Sequence, residues 1–150
     1  MSYYSTIGAF EFRSRFTEAE LKEAFNRFVQ NLTGEERDCM GIYEFSRISG
    51  PEKDGLYEYA LEMGDYFAKH YADRYLAEFV STVIALGEYA LVEFDGEDGE
   101  KWGYLVLSNE VYDLAYETLV NGKPLHEFID EKTKGKENFL EETIKQETKR

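Results

Sequence analysis

The chain has 150 residues, with 31 Asp and Glu against 17 Lys and Arg, a net charge of −14, and 43% hydrophobic residues. That length can bury a core of its own, and the hydrophobic content is too high for an acidic disordered chain. A single cysteine excludes a disulfide framework and any multi-cysteine zinc or iron–sulfur site, and so acidic a chain repels nucleic acid unless a basic patch overrides its field.

Ile7, Ala9 and Glu11 alternate with Gly8, Phe10 and Phe12, which predicts a first strand over residues 3–13. Thr17-Glu18-Ala19-Glu20 is a capping box, and Leu21, Ala24, Phe25, Phe28, Val29 and Leu32 follow at helical spacing, with Gly34 expected to end that helix. Two strands are predicted at Ile42–Ile48 and Leu56–Met63, joined through the turn formers of Gly50-Pro51-Glu52-Lys53-Asp54-Gly55. Asp65 is placed to cap a second helix running to about Leu86, with Phe67, Tyr71, Tyr75, Phe79 and Val83 four residues apart and Gly87 as its stop. A strand from Tyr89 to Phe94, an acidic turn, and a returning strand from Trp102 to Leu107 come next. Ser108-Asn109 then turns into a last strand in which Tyr112, Leu114, Tyr116, Thr118 and Val120 share a face; Val111–Leu119 also fits helical spacing as the alternative. Pro124–Asp130 suits a short helix, and Lys132–Arg150 is a Lys/Glu-rich tail with few apolar anchors.

The expected fold is α+β, a ferredoxin-like β-α-β-β-α-β antiparallel sheet covered on one side by two helices, with an additional hairpin and a helical tail. Residues 1–120 would form one domain and 121–150 the charged tail. With no basic segment followed by an apolar run at the start and no stretch long enough to span a bilayer, a cytoplasmic protein without membrane contact is expected.

Chemistry-bearing motifs are sparse. His70 lies three residues before Asp73, but His126 has no helix-spaced partner to complete a zinc site. Asp95-Gly96-Glu97-Asp98-Gly99-Glu100 places Glu100 where an EF-hand loop needs glycine. Cys39 reads as a small packed residue, and neither a G-x-S-x-G elbow nor a phosphate-binding glycine loop is present. No catalytic residue, metal or cofactor is assigned, and an enzyme is not expected. Tyr43, Tyr57, Tyr59, Tyr104, Tyr112 and Tyr116 are expected to be exposed and could stack on bases, but their neighbours Glu44, Glu58, Asp113 and Glu117 are acidic where an RNA-binding sheet is basic, so the aromatics are expected to pack the sheet or meet a protein partner.

The charge itself is the remaining signal. Residues 127–150 carry a net charge of −1, whereas residues 88–117 hold nine acids against Lys101 alone. Acids interleaved with Trp and Tyr suit a basic partner surface, with charge steering the encounter and aromatics anchoring it. The candidate partner-binding residues are Glu93, Asp95, Glu97, Asp98, Glu100, Trp102 and Tyr104. The expected partner is a basic protein surface, including that of a nucleic-acid-binding protein whose groove an acidic aromatic face could fill. Homodimerisation on the aromatic sheet face is the rival expectation.

The stretch Gly96-Glu97-Asp98-Gly99-Glu100-Lys101-Trp102-Gly103-Tyr104-Leu105-Val106, after a short Met-Ser-Tyr start and before a final strand, resembles small uncharacterised phage and mobile-element proteins of ferredoxin-like type. The resemblance covers residues 88–120 and implies an inhibitor of host defence, a class that includes anti-CRISPR proteins; it implies no catalytic residue.

Overall fold

In the computed structural model, the structure describes residues 4–61, 67–69, 73–96, 99–117 and 119–133. The chain divides into two compact units, Met1–Ala115 and Tyr116–Arg150. The described residues combine four helices with antiparallel strands, so the fold is α+β.

Among the described residues the larger unit holds eight strands and three helices: β1 (Tyr4–Ile7), β2 (Glu11–Ser14), α1 (Glu18–Gln30), α2 (Gly34–Met40), β3 (Phe45–Ser49), β4 (Tyr57–Leu61), β5 (Phe67–Lys69), α3 (Asp73–Val83), β6 (Ala90–Gly96), β7 (Lys101–Leu107) and β8 (Glu110–Leu114). Hydrogen bonding groups them into two sheets, ordered β5-β1-β6-β7-β8 and β2-β4-β3, in place of the single sheet expected from the sequence. The expected first strand is what divides. Ile7 faces the core, but the next buried residues are Phe10, Phe12 and Ser14, so the alternation slips by one residue at Gly8-Ala9. Gly8 N–H still donates to Glu93 O of the first sheet at 2.9 Å, while Phe10 O accepts from Leu61 N–H of the second at 3.2 Å. Here the phase change hands the chain from the first sheet to the second.

Thr17 caps α1 as its sequence predicts, with Thr17 Oγ1 accepting from Glu20 N–H at 3.2 Å and Glu20 Oε1 from Thr17 N–H at 3.1 Å. Gly34 does not end that helix; α1 stops at Gln30 and Gly34 opens α2. Thr33-Gly34-Glu35-Glu36 repeats the capping signature, and Glu36 Oε2 accepts from Thr33 N–H at 3.4 Å.

The helix expected from Asp65 to Leu86 is shorter. Residues 67–69 are extended and pair with β1, so strand pairing overrides helical spacing there. Residues 62–66 and 70–72, which include Asp65, Met63 and Tyr71, lie outside the described residues. At its other end α3 stops at Val83, where Ser14 Oγ donates to Val83 O and Ala85 N–H donates to Arg13 O, tying the helix end to β2.

One core joins both sheets. Phe25, Phe45 and Phe79 meet with ring centroids 4.9–5.7 Å apart, Phe12 adds an edge contact to Phe45, and Leu76, Val80, Val92, Phe94 and Val106 continue the cluster toward β6 and β7. The last strand of this unit ends at Leu114, which corrects both the longer strand and the helical alternative for Val111–Leu119.

In the smaller unit β9 (Leu119–Val120) and β10 (Lys123–Pro124) pair through Asn121-Gly122, both at positive φ, and residues 125–133 are helical (α4). Asn-Gly is the residue pair that such a two-residue hairpin turn selects.

Candidate protein-binding face

Strands β6, β7 and β8 form a meander whose register fixes which way each side chain points. Val92 pairs with Tyr104, Phe94 with Trp102, and Ala90 with Val106; this set faces α3. Leu91 pairs with Leu105, which pairs with Tyr112, and Glu93 and Asp95 continue the same outer row along β6. Residues two apart on a strand share a face and direct cross-strand partners share it too.

The sequence-derived site therefore splits. Trp102 and Tyr104 belong to the helix-facing side. Trp102 Nε1–H donates to Asp73 Oδ2 at 3.1 Å, and its ring stacks on Phe94 at 5.8 Å and 12°. Tyr104 lies edge-on to Phe94, with the Arg74 guanidinium 5.6 Å from its ring centroid. Burial first, then the nearby Asp73 charge, raises the Tyr104 hydroxyl pKa. Arg74 also reaches Asp113 at 2.8 Å and Glu78 at 3.3 Å.

Glu93 and Asp95 lie on the other side of the sheet. Asp95 is 3.9 Å from Lys101 Nζ across the β6–β7 pair. Glu100 is exposed in the turn, where its backbone carbonyl accepts from Gly96 N–H at 2.8 Å. Glu97 and Asp98 lie outside the described residues.

What this outer side adds is apolar. Leu91 is 42% exposed and Tyr112 50% exposed, with half-buried Leu105 between them in register. Glu93, Asp95 and Glu110 border that row. Sequence patterning put Leu91 inside a buried-looking strand and Tyr112 beside Tyr116. Parity between β6 and β7, set by the connection from Gly96 to Lys101, and between β7 and β8, set by the turn at Ser108-Asn109, groups Leu91, Leu105 and Tyr112 instead. Asn109 takes φ 60°, and its N–H donates to Ser81 O of α3 at 2.9 Å, pinning that turn.

The other sequence candidates fall differently. Tyr43 and Tyr59 are buried, Tyr57, Tyr104 and Tyr116 are half-buried, and Tyr112 alone of the six is exposed, which corrects the expectation of a tyrosine-rich open surface. Among the described residues no group of three or more His, Cys, Asp or Glu side chains could hold a metal ion. His70 lies outside them, and His126 Nδ1 is 4.0 Å from Glu117 in the smaller unit. Cys39 is half-buried in α2. No helix among the described residues is long and apolar enough to cross a membrane. Comparison with protein-family models, curated proteins and solved structures returns no match.

Proposed function

We propose that this protein is a non-catalytic acidic binding module whose outer β6–β8 face engages a basic protein surface, including that of a nucleic-acid-binding protein, and inhibits it by occupying that surface. The observation that carries this reading is the Leu91–Leu105–Tyr112 row bordered by Glu93, Asp95 and Glu110. An apolar strip supplies area to remove from water, and an acidic border steers a basic partner and rejects an acidic one. Trp102 and Tyr104 act from behind, fixing the sheet against α3. The likeness of residues 96–106 to phage-type proteins favours an inhibitory role. A second copy docked by the same face would bring one acidic border against another, which disfavours a homodimer built there.

A ferredoxin-like ancestry of the fold is part of the same proposal. If β1 and β2 are taken as one bent strand, the neighbours run β6, β1/β2, β4, β3, the order of a β-α-β-β-α-β sheet with β5, β7 and β8 added.

The test is retention of partner from a lysate of the source cells on immobilised protein. Wild type is expected to retain a basic protein that salt elutes, and Glu93→Lys with Asp95→Lys and Glu110→Lys to weaken that retention by about tenfold or more at low salt. Retention of the same protein at unchanged strength by the triple variant would contradict the proposal.

A further inference from the structure

We propose that the cleft between α1 and β3 receives an extended peptide segment of alternating apolar and basic side chains, added as a further strand to the free edge of β3. None of its residues belongs to the β6–β8 face, so this site stands or falls independently of the function proposed above.

The second sheet, ordered β2-β4-β3, leaves β3 with a strand neighbour on one side only among the described residues. Such an edge presents alternate N–H and C=O groups outward, the template to which an incoming strand pairs. Here the edge opens onto a cleft of about 820 Å³ whose opposite wall is α1, and a smaller hollow of about 190 Å³ continues it past Phe25, Asn26, Gly41 and Tyr43. Helix and strand run in opposite directions along it. Glu18 at the start of α1 meets Arg47 of β3 at 3.1 Å, and Gln30 at the end of α1 lies by Gly41 and Tyr43. The 13 residues of α1 span about 20 Å at 1.5 Å each, the reach of about six extended residues.

Side-chain chemistry sets the pattern of the occupant. Half-buried Phe45 and the small exposed margins of Phe25 and Tyr43 line the inner side of the cleft, with Tyr59 buried behind them, and suit every second side chain being apolar. On the outer side, Glu44 and Ser46 continue into Glu58 and Glu11 across the sheet, since Ser46 pairs with Ala60 and Ala60 with Glu11. The Glu11 carboxyl is held above its ordinary pKa, first by its hydrogen bond with Glu58, then by burial and by the Glu58 charge. Two carboxyls in that relation mark a face with surplus negative charge, complementary to bases on the outer row of an added strand. Arg47 does not cancel it, being engaged by Glu18 and by Gly50 O at 2.8 Å. Lys22 on the helix wall repels a base at the inner positions, which confines basic side chains to the outer row.

The probes are three blocked hexapeptides: alternating Val and Lys, the same composition with Val and Lys in two blocks, and the alternating sequence with N-methylated backbone amides. Calorimetric titration is expected to show the alternating peptide binding at least about tenfold more tightly than the block peptide. N-methylation should abolish binding, and bound peptide should slow amide exchange in residues 45–49. Glu44→Lys should weaken the alternating peptide several-fold, and Glu93→Lys with Asp95→Lys should leave it unchanged. Equal affinity of the block or N-methylated peptide, or unaltered exchange in β3, would overturn the proposal.

Discussion

Asp73 has no exposed surface and sits in the first turn of α3, where the helix dipole favours a carboxylate, and it receives the Trp102 indole N–H. Trp102→Phe keeps most of the packing on Phe94 but takes that donor from a buried carboxylate, and should cost about 1–3 kcal/mol in urea unfolding. Because Trp102 points toward α3, the same variant should leave partner binding through the outer face intact, a combination that a surface-exposed tryptophan would not give. Two other carboxyls set opposite pH dependences. Asp54 is held below its usual pKa, first by the Leu56 N–H and also by Arg13; its contribution is present above the ordinary carboxylate range and is lost as pH falls through the lowered value. Glu11 is raised, so its contribution is present at low pH and lost as pH rises through the raised value. Thermal melts should therefore show Glu11→Gln more stable than wild type at neutral pH and Asp54→Asn less stable, with both differences closing on acidification. Parallel curves would contradict these assignments.

Among the elements, α1 and α3 carry different burdens. α1 buries Leu21 and Phe25 and depends on its cap, so Thr17→Ala should cost about 1 kcal/mol by chemical denaturation. α3 buries Leu76, Ala77, Phe79, Val80 and Val83 between the sheets, and Phe79→Ala should cost about 3–5 kcal/mol, because Phe25, Phe28 and Phe45 all pack on that ring. Both helices were legible because Thr17-Glu18-Ala19-Glu20 and the Leu76–Val83 spacing are local signals. The Thr33 box of α2 is equally local, but Gly34 beside it reads as a helix stop. β5 was not legible, since Phe67 extends a helical pattern and only pairing with β1 makes it a strand. The split of the first strand was hidden too: Gly8 and Ala9 are small enough to lie in either phase, and only the separate partners Glu93 and Leu61 reveal the slip. For the binding face, the acids could be read from composition. Their separation from Trp102 and Tyr104 could not, because parity across β6 and β7 depends on the length of the acidic turn between them.

Taken whole, the molecule concentrates charge without concentrating it on one surface. Of the nine acids between residues 88 and 117, Glu88 is bound to Arg13 and Asp113 to Arg74, so these two are neutralised within the fold. Asp95 lies 3.9 Å from Lys101, and with Glu93 and Glu110 it borders the exposed apolar row; the proposed binding face rests on that pairing of charge with Leu91 and Tyr112. If the face binds, charge should govern encounter and the apolar row should govern residence. The most direct measurement is the dissociation rate of the captured basic partner from Leu91→Glu with Tyr112→Glu, compared with charge reversal at two remote sites, Glu23→Lys with Glu52→Lys. The account predicts dissociation at least about tenfold faster for the Leu91/Tyr112 variant at every salt concentration, and no change for the remote reversal. Equal dissociation rates for the two variants and wild type would contradict it.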